Sequence, residues 1–432
     1  MINRDRYLQK LINKKDNGVV KVITGIRRCG KSYLLFNIYH QYLNSIGIND
    51  DHIIELALDD DQNIRYRNPL ELGEYIRNLI VDKDKMYYVF IDEIQKVADI
   101  PNPYLPNSDE KIGFVDVILG LMKIKNIDLY VTGSNSKMLS SDILTEFRGK
   151  GDEVRIYPLS YHEFYNAYGD DKRNAWRDYF TFGGMPFIMS QKTTSDKVSY
   201  LTSLFDKIYL DDIMNRNNII KDKSILDDLL DIISSSVGSL TNPIKIQKTF
   251  ESEKKKNITD DTIAKYLEYF NDAFLISKAR RYDVKGRKYI ASPFKYYYTD
   301  IGLRNARLGF RQQEETHIME NIIYNELIIR GVNVDVGIVT TYAKDKSGKS
   351  NRVQREIDFV ANNGSNRVYI QSAFAIPNEN KRIQETASLN SMKDSFGKVV
   401  IVKDNINPWR DEKGILYIGI EDFLLDDNAI NL

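Results

Sequence analysis

Between residues 19 and 135 short apolar runs alternate with amphipathic stretches. Val19 to Thr24 (VVKVIT), His52 to Leu58 (HIIELAL), Tyr87 to Glu93 (YYVFIDE) and Ile127 to Thr132 (IDLYVT) read as strands. Tyr33 to Leu43 and Leu70 to Val81 read as the helices between them, which gives a βαβ rhythm. The run before Asp92 is apolar throughout instead of alternating, which predicts a strand buried on both faces, as in a parallel sheet. Further on, Ser224 to Gly238 reads as a helix and Asn242-Pro243 opens another. Asp260 to Phe270 places Ile263, Tyr266, Leu267 and Phe270 at helical spacing. Phe274 to Tyr282, a turn around Lys285-Gly286-Arg287, and Tyr289 to Tyr298 then predict a hairpin, and three helices followed by a hairpin is the order of a winged helix. Thr316 to Ile329 is helix-like, Arg355 to Val360 enters a strand, and Val368 to Gln371 begins another.

A chain of 432 residues exceeds what one core organises, so two to four domains are expected, and 42% apolar residues can fill them. The charged start, Met1 to Arg6, leads into no apolar segment, and no run approaches the length needed to span a bilayer, so a soluble cytoplasmic protein is expected. One cysteine, Cys29, excludes an internal disulfide, and four scattered histidines offer no metal-ligand spacing. Lys plus Arg balances Asp plus Glu at 61 each, so a polyanionic partner must be met by a local basic patch.

The apolar run at Val19 to Thr24 ends in Gly25-Ile26-Arg27-Arg28-Cys29-Gly30-Lys31-Ser32, a G-x-x-x-x-G-K-S string, followed by Tyr33 and the helix. Strand, glycine loop and helix in this order form a phosphate cradle. The glycines let backbone N–H groups point at phosphate oxygens, and the helix N-terminus adds positive potential. Lys31 is expected on the β- and γ-phosphates of ATP and Ser32 on Mg2+. Within the loop, Cys29 is expected at an exposed tip. Arg27 and Arg28 either raise the potential for the nucleotide or face a neighbouring domain.

Asp92 and Glu93 end the buried-type run at Tyr87, where acids are unfavourable without a use. Asp92 is expected to hold Mg2+ through its water shell, and Glu93 to orient and deprotonate the attacking water. Ser134 and Asn135 follow the strand at 127–132, at the sheet end that faces ligands, and either sense the γ-phosphate or cap a helix. Arg148 closes the next predicted helix, as an arginine finger in cis or trans, or as a cation at a helix C-terminus.

Taken together, GIRRCGKS, FIDEIQKV, VTGSNSKMLSS, FRGK and YPLSYHEF (Tyr157 to Phe164) resemble the bacterial and archaeal AAA-type ATPases with an uncharacterised carboxyl-terminal domain. The resemblance continues through Gly183-Gly184-Met185-Pro186, IYLDDI (Ile208 to Ile213) and YYTDIGLRNARLG to near the end. It implies an α/β P-loop ATPase with an AAA-like parallel sheet at 1–170, a helical lid at 171–222, a winged helix at 223–312, and a terminal α/β domain at 313–432 similar to PD-(D/E)XK (restriction-endonuclease-like) nucleases.

Lys278, Arg280, Arg281, Lys285, Arg287 and Lys288 surround the wing against Asp283, a surface suited either to DNA phosphates or to packing as a joint. In the terminal domain Glu320 and Asp358 fit the first two acids of a nuclease site and are candidates for a weak second metal. Gln371 and Ala373 stand where the third acid and the lysine belong, with Lys381 a distant substitute. An ATP-driven switch is therefore expected. An ATP-dependent nuclease for repair or defence, and an ATP-gated scaffold for a protein partner or a second copy, are the alternatives.

Overall fold

The computed structural model describes residues 2–133, 149, 151–169, 172–219, 222–311, 314–344 and 350–430. The chain forms two compact units, residues 1–158 with 272–274, and residues 159–271 with 275–432.

The first unit is built on a five-stranded parallel sheet. Its strands are β1 (Val20–Thr24), β2 (Ile53–Ala57), β3 (Tyr87–Asp92), β4 (Ile127–Thr132) and β5 (Gly151–Arg155), in the spatial order β2-β3-β4-β1-β5. All four strands expected from the apolar runs are present, and β3 and β4 are buried along their whole length. One face packs Val20, Val22, Leu56, Val89, Ile91 and Val131 against Leu72 and Ile76 of the helix Pro69–Leu79 and Val117 and Ile118 of the helix Phe114–Leu121. Asn68 caps the first of these helices through the Leu70 and Glu71 N–H groups, and Pro69 opens it.

The opposite face carries Lys21 and Asp128, a fully buried ion pair. Asp128 also accepts from the Tyr130 hydroxyl at 2.8 Å and the Asp16 N–H at 3.0 Å, and the Tyr39 and Tyr130 hydroxyls bond at 2.6 Å. A buried pair of this kind is tolerable only when its remaining hydrogen-bond capacity is met. The helical stretch covering this face is continuous: Lys31–Tyr33, a π-helical turn over Leu34–Tyr39, then His40–Ser45.

The second unit begins with helices at Tyr161–Ala167, Ala175–Phe182 and Thr194–Leu204, and continues with Lys223–Ser235, Pro243–Thr249 and Asp260–Asp272. Ile263, Tyr266, Leu267 and Phe270 are buried, as their spacing predicts. An eight-stranded mixed sheet follows. Its strands are β6 (Ile276–Asp283), β7 (Lys288–Tyr298), β8 (Asn333–Lys344), β9 (Ser350–Asn363), β10 (Asn366–Ala373), β11 (Gly397–Val402), β12 (Trp409–Arg410) and β13 (Leu416–Gly419), ordered β12-β13-β11-β10-β9-β8-β6-β7. The hairpin β6–β7 is therefore not free-standing: Arg281 of β6 registers against Val336 of β8 in a parallel pairing. The helix Glu315–Ile329 covers one face, where Tyr324 stacks on Tyr297 at 4.2 Å.

Two sequence motifs are explained by a close approach inside this unit. Asp300 caps the helix Ile301–Arg307 through the Leu303 N–H at 3.1 Å and accepts the Gly184 N–H at 2.7 Å. A Cβ on Gly302 would lie 2.0 Å from the Phe182 carbonyl oxygen, so only glycine allows the two segments to meet. Burial raises the Asp300 carboxyl to about 6, against the opposing pull of the Gly184, Leu303 and Gly302 N–H groups.

Candidate functional site

The glycine loop leaves the carboxyl end of β1 and turns into the helix at Lys31. Gly25 has φ of 142°, and a Cβ there would fall 2.2 Å from the Ile156 carbonyl oxygen. The segment after β5 therefore presses on the loop from beneath and demands glycine at its start. Gly30 is left-handed at φ 100°, as is Arg28 at φ 65°, an unfavourable conformation for a side-chain-bearing residue.

Cys29 departs from its expected exposed position. Its side chain is buried, with the thiol 3.6 Å from the Ile156 carbonyl that it faces. The loop curls tightly enough to turn residue 29 inward, while Arg27 and Arg28 project to solvent. Ile26 is buried and Tyr33 is partly exposed beyond the lysine.

Lys31 lies along the inside of the loop and donates to the carbonyls of Gly25 at 3.1 Å and Ile26 at 3.2 Å. Ser32 Oγ donates to Asp92 Oδ2 at 2.6 Å. Asp92 Oδ1 receives the Thr132 hydroxyl, which in turn accepts the Glu93 N–H at 3.3 Å. The loop helix, the end of β3 and the end of β4 thus converge on one carboxylate. Thr132, the last residue of the IDLYVT strand, joins the site through this contact, although no spacing in the sequence marks it.

Glu93 follows Asp92 in a left-handed conformation, φ 55°, which turns its side chain away from that of Asp92. Gln95 Nε2 donates to its carboxylate. Burial, then the neighbouring Asp92 charge, raise the Glu93 pKa above the ordinary carboxylate value, against the pull of Lys31, Arg27 and the Gln95 hydrogen bond. A half-buried carboxylate with a raised pKa, in the field of Lys31, has chemistry compatible with a general base.

The donor set around Asp92 is one carboxylate and the Ser32 hydroxyl, hard oxygens that suit Mg2+ completed by water and phosphate better than an all-protein cage. Consistent with that, no group of three or more His, Cys, Asp or Glu side chains among the described residues could hold a metal by itself. Ser134, Asn135 and Arg148 lie outside the described residues.

In the second unit Glu320 and Asp358 are both buried. Glu320 Oε1 accepts from Lys295 Nζ at 2.8 Å and from the Tyr297 hydroxyl at 2.5 Å, and Lys295 reaches Glu356 at 2.7 Å. Asp358 Oδ2 accepts from Gln371 Nε2 at 2.7 Å and the Ser372 N–H at 2.8 Å. Burial and the Glu320 charge push Asp358 well above the carboxylate range while Lys295 opposes them. The cation here comes from β7, twenty-five positions before Glu320. Lys381 instead pairs with Glu385 on its own helix at 2.5 Å.

On the β6–β7 hairpin, Lys278, Arg280, Lys285, Arg287 and Lys288 are exposed. Arg281 is not: it is only 9% exposed, because residues 279 and 281 point inward where 278 and 280 point out. The expected ring of cations therefore loses one member.

Residues 17–165 match the family described as AAA domain, and residues 173–314 match a domain of unknown function. An uncharacterised protein of Haemophilus influenzae is 33% identical over 407 residues, covering 93% of each chain. An uncharacterised protein of Methanocaldococcus jannaschii is 28% identical over 451 residues, covering 99% of this chain and 88% of its own. The crystal structure of Cdc6p from Pyrobaculum aerophilum is 10% identical, with 74% of this chain and 94% of that one covered at a TM-score of 0.29, too loose a superposition to transfer detail. Among the described residues no helix is long and apolar enough to cross a membrane.

Proposed function

We propose, for a chain that belongs to the family of the uncharacterised Haemophilus influenzae protein and carries an AAA domain at residues 17–165, that it binds and slowly hydrolyses ATP and uses the nucleotide state to switch its second unit. The observation that carries this reading is the convergence of Ser32 and Thr132 on Asp92, with Glu93 beside them and Lys31 inside the loop. The Gly25–Gly30 backbone would cradle the phosphates, with Lys31 exchanging its two loop carbonyls for phosphate oxygens. Ser32 and Asp92 would hold Mg2+, which supplies charge neutralisation on the phosphates when bound. Glu93 takes the proton of the attacking water, its raised pKa bringing it nearer to neutral pH than a free carboxylate. Asn135 and Arg148 remain candidates for sensing the γ-phosphate and for stabilising developing charge.

The terminal acids support a non-cleaving role. Lys295 places a permanent cation between Glu320 and Glu356, where a nuclease needs room for a metal, and Gln371 offers an amide in place of a carboxylate. Nucleic acid is the partner suited to the exposed cations Lys278, Arg280, Lys285, Arg287 and Lys288.

Hydrogen exchange in ADP and in a non-hydrolysable ATP analogue tests the coupling. Protection changes are expected in the loop at 25–32 and also in peptides of residues 159–430. Changes confined to residues 2–158 would leave a nucleotide-binding domain without a switch.

A further inference from the structure

A concave pocket of about 590 Å³ opens between the turn of the β6–β7 hairpin and the loop ahead of β11. Its walls are Tyr282, Lys285, Arg287, Arg367, Lys393 and Phe396. Four of these are cations, and the one acid in the lining, Asp394, already accepts the Tyr369 hydroxyl at 2.8 Å. At the turn, Asp283 accepts the Gly286 N–H at 2.9 Å. Lys285 Nζ reaches the Thr340 carbonyl at 3.3 Å, whereas Arg287 and Lys393 are exposed and form no ion pair among the described residues.

The rings are arranged around this charge. The Arg367 guanidinium lies 5.6 Å from the Tyr282 ring and 5.3 Å from the Phe396 ring, and its Nε donates to Asn362 at 2.7 Å. Phe396 remains 39% exposed although it is large and apolar. Beside the pocket Arg280 covers the Tyr289 ring at 4.1 Å, and Tyr289 is 51% exposed. Lys278 and Arg280 continue the row of outward cations along β6.

We propose that this pocket and the adjoining face of β6 bind a single-stranded polynucleotide, with an unpaired base against Phe396 and Tyr282 and the flanking phosphates on Arg287, Lys393 and Lys285. Exposed rings interleaved with cations that form no ion pair among the described residues match the two halves of a nucleotide, a π-face and a phosphate. A duplex hides its base faces and would engage the cations alone. The cations come from the hairpin turn, from β10 and from the loop ahead of β11, and run on along β6, which suits a strand better than one free nucleotide. This inference deepens the nucleic-acid part of the reading above and requires no bound ATP.

The test is fluorescence anisotropy of the full chain with a labelled oligothymidylate of about 20 nucleotides, without ATP, across a salt series. Phe396→Ala is expected to weaken binding about tenfold, and Phe396→Trp to retain it. Arg287→Ala and Lys393→Ala, both at exposed positions, should each reduce the salt slope by roughly 0.7. Competition by oligouridylate distinguishes RNA from DNA as the strand, and either supports the proposal. Equal competition by duplex, binding of thymidine monophosphate as tight as the oligomer, identical behaviour of the two Phe396 variants, or an unchanged salt slope would each overturn it. ATP turnover by Phe396→Ala is expected at the wild-type level, so failure of this proposal and failure of the ATPase reading are separately visible.

Discussion

Ser32 and Asp92, sixty positions apart, share a 2.6 Å hydrogen bond that ties the helix after the glycine loop to the end of β3. The Thr132 hydroxyl fixes the other oxygen of Asp92 and meets the Glu93 N–H, so β4 sets the orientation of both acids. Thr132→Val keeps the shape and removes the hydroxyl. We expect kcat for ATP to fall about tenfold to a hundredfold with KM little changed, and stability to fall by about 1–3 kcal/mol from the buried group left unpaired. Steady-state kinetics and denaturant melts check this, and an unchanged kcat would remove Thr132 from the site.

The pH dependence of turnover should follow Glu93. Its pKa is raised by burial first and the Asp92 charge second, and lowered by Lys31, Arg27 and Gln95. As the base must be ionised, kcat falls as pH drops through that raised value, so the acidic limb should stand above the normal glutamate range. Gln95→Ala removes a lowering influence and should move the limb further toward neutral pH. A limb that stays in place or moves to lower pH would show that Gln95 does not act on this carboxylate.

What the sequence made legible and what it hid divide along a physical line. The glycine loop and the acids after β3 could be read because phosphate chemistry fixes residue types at short spacings, and β1 to β4 because strands covered on both faces are near-continuously apolar. Thr132 and Lys295 have partners chosen by tertiary proximity, Asp92 across forty positions and Glu320 across twenty-five, whereas Gln95 meets Glu93 two residues away through a turn whose conformation the residue types do not fix. Cys29 and Arg281 were misplaced for a simpler reason. Each was read from its neighbours in sequence, whereas a tight curl turns residue 29 inward and strand alternation buries residue 281.

Lys295 is the charge that allows three acids to stand together in the second unit. Lys295→Met leaves Glu320, Glu356 and Asp358 without it, and should cost about 3–5 kcal/mol at pH 7. Burial and the Glu320 charge raise the Asp358 pKa while Lys295 opposes them, so without the lysine Asp358 takes up a proton on folding more readily, and the loss should shrink as pH is lowered. Melting curves at several pH values check the sign. A loss that is constant with pH, or that grows on acidification, would show that the lysine acts through packing alone.

Gly302→Ala should destabilise the second unit, because the added methyl would lie 2.0 Å from the Phe182 carbonyl. The expected loss is about 2 kcal/mol or more, in the range of overpacked core positions. Separate melting of the two units, followed by hydrogen exchange, would place the loss in residues 159–430. A variant as stable as the wild type would mean the two segments part without consequence.

The residues gathered at Asp92 are expected to turn over ATP. The most direct measurement is magnesium-dependent steady-state hydrolysis by the wild type, Lys31→Ala and Glu93→Gln, with nucleotide affinity measured on the same preparations. Slow turnover by the wild type, loss of affinity in Lys31→Ala, and in Glu93→Gln retained affinity with turnover reduced about 10²–10⁴-fold are expected. A wild type that binds ATP without hydrolysing it, or a Glu93→Gln protein as active as the wild type, would contradict that expectation.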